Sequence, residues 1–128
     1  MNFRGTIIEE SLEDKTVLGM VKILETKVEP VVEEHKTPWL KQWTLHKVEI
    51  LESKAKAVAE KLSETLRSGA QHDSWYADYK NADWHYIIFP GKIFKISRSD
   101  ASGYAAARTY GISLGIPPHQ VDFSPDIK

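Results

Sequence analysis

The chain has 128 residues, of which 41% are hydrophobic, 27% charged and 10% aromatic, with a formal charge of −1 and no cysteine. That length fits one domain with room for a real core, and the hydrophobic share argues against disorder. The missing cysteines exclude disulfides, thiolate zinc sites and thiol catalysis, and the even balance of 17 basic and 18 acidic side chains removes any general argument for wrapping DNA.

Phe3–Ser11 reads as a strand, with Thr6, Ile7 and Ile8 supplying β-branched residues. In Leu12–Met20, Asp14 is placed to cap a short helical turn that carries Val17 and Leu18. Lys22–Val32 alternates in part and reads as a strand that Pro30 stops or moves to an edge. The polar run 33–38 reads as a loop, because Pro38 biases Thr37 away from helix. Leu40–Leu51 is the stronger strand: Thr44, His46, Val48 and Ile50 share one face, Trp43 and Leu45 the other.

Ser53–Ser68 is the clearest helix. Ala55, Val58, Ala59, Leu62 and Leu66 make one apolar stripe, and Gly69 offers a left-handed terminator. Trp75–Lys80 and Trp84–Phe89 follow as strands joined at Asn81-Ala82-Asp83, and a Pro90-Gly91 type II turn leads to Lys92–Ser97. His85, Ile87 and Phe89 alternate with Trp84, Tyr86 and Ile88, so both faces are apolar, which predicts a central hairpin covered on both sides. Asp100–Leu114 is the second helix, capped by Ser99 or Asp100 and ended by Gly115 and Pro117-Pro118; Gln120–Phe123 adds a short terminal strand.

The expected fold is therefore a single α+β domain, 1–128, with a mainly antiparallel sheet of about six strands. Two helices pack on one face, in the order βββα-βββα. Arg4, Glu9, Glu10, Glu13, Asp14 and Lys15 leave no apolar core for a secretory signal, and no apolar run spans a bilayer. A soluble, cytoplasmic protein with no membrane partner is the expectation.

Motifs with chemical meaning are few. Gly111-Ile112-Ser113-Leu114-Gly115 matches the serine-hydrolase elbow in letters, but it follows a helical run where that motif needs a strand before it. His35, His46, His72, His85 and His119 show no spacing that puts two ligands on one element, so no metal is assigned and no cofactor is named. His46, among Thr, Val and Ile, reads as a core histidine with hydrogen-bonded nitrogens.

The unusual segment is aromatic. Trp75, Tyr76, Tyr79, Trp84 and Tyr86 crowd together; Tyr76, Asp78 and Lys80 share one strand face, and Trp75, Ala77 and Tyr79 the other. The structural reading buries Trp75 and Tyr79. The functional reading is a pocket wall in which Tyr76, Asp78, Trp84 and His85 orient a polar ligand, with Arg98 at the start of the second helix. Ser99, Ser102 and Gly103 at that helix N-terminus are candidates for holding an anion, unless Asp100 already satisfies the same amides.

These features support a small binding or accessory domain for a small molecule or protein partner, without catalysis of its own, and compatible with a homodimer. Whether it is an enzyme stays open. An enzyme acting on a small phosphorylated or nucleotide-like substrate would use Asp78 or His85 as base and Arg98 for phosphate. A single-stranded RNA module would stack bases on Trp and Tyr faces flanked by Lys80, Lys92, Lys95 and Arg98. Trp39 and Trp43 are candidate anchors for a protein partner.

Overall fold

The computed structural model describes residues 2–30, 42–66, 75–114 and 116. The elements are β1 (Phe3–Ile8), β2 (Lys22–Pro30), β3 (Gln42–Ile50), α1 (Ala55–Thr65), β4 (Ala77–Lys80), β5 (Trp84–Phe89), β6 (Lys92–Ser97) and α2 (Ala101–Ser113). Short 3₁₀ segments follow β1 (Glu9–Ser11), precede β2 (Lys15–Met20) and precede α1 (Glu52–Lys54). The strands form one six-stranded sheet in the order β2-β3-β1-β4-β5-β6, every pairing antiparallel. The expected antiparallel sheet with two helices is thus what forms. No helix among the described residues is long and apolar enough to cross a membrane.

The helices, however, divide between the two faces. Tyr86 and Ile88 of β5 share a core with Ala55, Val58, Ala59 and Leu62 of α1. Ile87 and Phe89, pointing the other way, pack with Tyr104 and Ala107 of α2. This corrects the one-face expectation, and the reason lies in β5 itself: a strand apolar on both sides needs cover on both sides. The β5–β6 hairpin is not central either, since β6 is the last strand of the sheet. Gly91 adopts φ 71°, as the second corner of the predicted turn requires, and its N–H donates to the Ser63 carbonyl of α1 at 2.9 Å.

Local signals were overridden at one boundary. α1 ends at Thr65, before Gly69, because Leu66 turns extended (φ −63°, ψ 133°) and bridges to Leu12. Thr65 Oγ1 donates to the Asp14 carbonyl at 2.8 Å and accepts from the Asp14 N–H at 2.6 Å. Asp14 also caps the following 3₁₀ segment by accepting from the Thr16 N–H at 2.9 Å. The loop at 33–38, Trp39, Gly69, His35, His72, Gly115, Pro117-Pro118, His119 and the strand at Gln120–Phe123 lie outside the described residues.

β1 is the seam. It pairs with β3 on one side and with β4 on the other. Gly5 is required there: a Cβ at that position would run into the Asp78 carbonyl oxygen and lie 2.7 Å from Tyr79 Cα.

Candidate functional site

The register sets the site. On the α2 side of the sheet, Arg4 sits opposite Lys80, and Lys80 opposite His85; Thr6 sits opposite Asp78, and Asp78 opposite Ile87. Asp78 and His85 therefore meet diagonally across β4 and β5. His85 Nε2 lies 2.7 Å from Asp78 Oδ2, and His85 Nδ1 lies 3.1 Å from the Tyr104 hydroxyl. His85 is 1% exposed, while the Asp78 side chain keeps 34%. A neutral imidazole satisfies both contacts by donating from Nε2–H to Asp78 and accepting the Tyr104 O–H at Nδ1.

Arg98 extends this network. Its guanidinium bonds the Tyr104 hydroxyl and donates from one Nη to the Asn81 carbonyl at 2.6 Å. Asn81 in turn holds the β4–β5 turn, its Oδ1 accepting from Asp83 N–H at 2.9 Å and Trp84 N–H at 2.8 Å. The Arg98 N–H closes the loop onto the Asp83 carbonyl at 2.9 Å. Partial burial, reinforced by the Arg98 charge and opposed by Asp78, holds the Lys80 ammonium below its ordinary range. Burial, with the Asp78 charge beside it, pushes the Tyr76 phenol well above its ordinary value.

Sequence reasoning named Asp78, His85, Tyr76 and Arg98 as neighbours, and the sheet brings them together. Trp84 is not among them. It points to the α1 side, 40% exposed, with Lys95 Nζ 4.6 Å above its ring. Trp75 and Tyr79 are buried in the α1 core, where the Tyr79 hydroxyl donates to the Ala55 carbonyl at 2.5 Å. At the start of α2, the Asp100 carboxylate accepts from the Gly103 N–H at 3.1 Å and the Ser102 hydroxyl at 2.7 Å. The cap thereby takes up the Gly103 and Ser102 donors named for an anion, and the Ser99 hydroxyl contacts that of Ser97 at 3.1 Å. Ser113 lies inside α2 with its hydroxyl on the Tyr110 carbonyl, and Gly111 is a buried helix residue.

Sequence reasoning missed Tyr104 and Arg4 as members of this site. Tyr104 is a helix residue 19 positions from His85, so no local spacing links them. Its one signal was size, a phenol on the face that otherwise carries Ala107 and Gly111.

His46 forms a second polar cluster on the α1 side. Its Nε2 lies 3.1 Å from Glu9 Oε1 and its Nδ1 2.9 Å from the Thr26 hydroxyl. Among the described residues, no three His, Asp or Glu side chains gather as a metal would require. No family model matches the chain, and neither a curated protein nor a solved structure resembles it significantly.

Proposed function

We propose that this chain is a small-molecule binding or accessory domain without catalysis of its own. Its ligand is a small polar molecule carrying one anionic group and one hydrogen-bond donor. The observation that carries this reading is the buried chain from Tyr104 through His85, which ends in the partly exposed Asp78 carboxylate. A carboxylate fixed from behind is a preorganised acceptor, and fixing it in advance removes ordering cost from binding. Lys80 and the exposed Arg4 lie beside it on the same sheet face, with Arg98 behind. Those cations suit the anionic end of a ligand whose donor meets Asp78.

A thermal-shift screen of the full chain against nucleotides, sugar phosphates, divalent metals and a short mixed-sequence RNA tests this. A ligand at 100-fold its Kd adds about 2.7 kcal/mol, a rise of several degrees for a domain of this size. The expected hit is a small phosphorylated molecule, lost in Asp78→Asn and in Lys80→Gln but kept in Trp84→Ala. A hit that survives both substitutions, or a screen without one, sinks the proposal. A hit confined to RNA and lost in Trp84→Ala would favour base stacking on that ring instead.

One observation favours a second reading, an enzyme on a phosphorylated substrate: Asp78, His85 and Arg98 belong to one connected network. His85 is buried with both nitrogens engaged, so in that reading Asp78 is the base and His85 a positioning residue. Asp78→Asn would then keep ligand binding and abolish turnover.

A further inference from the structure

β2 is the outermost strand at its end of the sheet, and its backbone and side chains look outward. Among the described residues no strand pairs with its outer edge. Lys22 to Val28 are exposed without a break on both faces, yet the segment is not uniformly polar. Of six large apolar side chains exposed among the described residues, three are on β2: Ile23 at 43%, Leu24 at 43% and Val28 at 53%. Natural sheets blunt such edges, because a long flat apolar edge is a template for another strand. Here the middle of the strand carries charges of both signs, Glu25 and Lys27, and backbone blunting is confined to the two ends. A bulge between Ile23 and Glu25 leaves Leu24 as the extra residue, and Pro30, which has no N–H, closes the far end.

We propose that the β2 edge is a homodimer interface, in which two copies pair antiparallel about a two-fold axis through Thr26. The charge pattern of the strand selects both the partner and the register. In a symmetric antiparallel pair, directly opposite residues share a face, so one residue must lie on the axis. With Thr26 on the axis, Glu25 faces Lys27 of the second copy twice over, and Leu24 faces Val28 twice over. With Glu25 on the axis, Glu25 faces itself. With Lys27 on the axis, Lys27 faces itself and Glu25 faces Glu29. Like charges directly opposite are destabilising and opposite ones stabilising, so one register is favoured and its neighbours are penalised.

The two faces of the paired strands are consistent with this arrangement. Thr26 shares a side with His46, its partner across β3, and Val28 with Thr44. Alternation back from Glu25 puts Leu24 on that same side. The apolar residues therefore meet on the α1 side of the joined sheet, and the charges meet on the other. The charged side chains are available for exchange, because their present contacts are exposed surface pairs: Lys47–Glu25 at 3.5 Å and Lys27–Glu29 at 3.2 Å. Pairing converts the exposed β2 edge into the middle of a twelve-stranded sheet, six strands from each copy.

Sedimentation velocity of the full chain over a dilution series tests the proposal. The expected result is a monomer–dimer equilibrium, with mass rising from 14.6 kDa toward twice that value. Lys27→Glu alone and Glu25→Lys alone each place two like-charged pairs in the interface and weaken association about tenfold or more. Mixing the two single variants restores a heterodimer, and the double variant restores a homodimer, because both arrangements put opposite charges face to face again. Thermal midpoints matching the wild type show that the variants fold. In the wild type itself, amide exchange along β2 slows as concentration rises, a readout that needs no substitution.

A chain that stays monomeric up to about 1 mM overturns the proposal, since association weaker than that is of no consequence. Single variants that dimerise like the wild type move the dimer to another surface and overturn it as well. Two single variants that fail to associate when mixed refute the Thr26 register. Protection of β2 that appears only on adding an unrelated extended peptide would assign the edge to a foreign strand.

Discussion

Two buried histidines, His46 on β3 and His85 on β5, each hold a carboxylate at Nε2 and a hydroxyl at Nδ1. Glu9 and Thr26 surround the first at 3.1 and 2.9 Å; Asp78 and Tyr104 surround the second at 2.7 and 3.1 Å. The two carboxylate side chains are even equally exposed, at 31% and 34%. What differs is the company each keeps. Glu9 comes from a 3₁₀ segment and is already bridged by Lys15 at 3.5 Å, so the His46 cluster ties three separate segments and is complete. Asp78 comes from a strand inside the sheet, and the cations near it, Lys80 and Arg98, lie on the face where we propose that a ligand's anionic group binds. A histidine with both nitrogens engaged is therefore a clamp in one place and a support for an outward-facing carboxylate in the other.

The largest expected effect is at the seam between these regions. Gly5→Val drives a side chain into the Asp78 carbonyl and the Tyr79 backbone, so β1 and β4 separate. The expected loss is about 3 kcal/mol or more by urea titration. Next is His85→Ala, which removes a ring packed at 5.5 Å against Tyr104 and takes away the acceptor of the Tyr104 hydroxyl, for about 2–4 kcal/mol. His46→Ala leaves Glu9 and Thr26, both of which reach solvent, to be satisfied by water, and costs about 1–2 kcal/mol. Equal losses at the two histidines would break the contrast drawn between them.

Smaller changes sharpen it. Tyr104→Phe removes the hydroxyl's bonds to His85 and Arg98 and costs about 1–2 kcal/mol, with affinity for the proposed ligand falling as Asp78 loses its fixed orientation. The smallest effect is on pH dependence. The hydrogen bond from His46, with help from the Lys15 charge, holds the Glu9 carboxyl below its ordinary 4.5. A depressed carboxyl contributes stability that is fully present above pH 4.5 and lost as pH falls through the folded value. Glu9→Gln removes this contribution, so its acid limb of stability against pH is shallower than that of the wild type.

Strand positions and the apolar stripe of α1 were legible because each depends on local periodicity. Asp78 and His85 were legible as candidates because they crowd one aromatic stretch of sequence, and Arg98 because it stands at the entrance of the second helix. The side each helix takes was not legible, although β5 carried the clue in its two apolar faces: alternation defines faces without saying which side a connection crosses to. The end of α1 was lost for a related reason, since the pairing of Leu66 with Leu12 overrode a terminator three residues further on. Tyr104 and Glu9 escaped because their histidine partners lie 19 and 37 positions away, distances that only the finished topology closes.

The position of β1 also bears on how the molecule assembles. β1 leaves the ribosome before either of its neighbours, yet it joins β2-β3 to β4-β5-β6 and borders both. It must wait through the synthesis of α1 and β4 before its second edge is covered, and long-range pairings of this kind slow folding. A nascent chain paused between α1 and β4 therefore displays the inner edge of its future sheet, with Gly5 at its centre, to whatever strand arrives first.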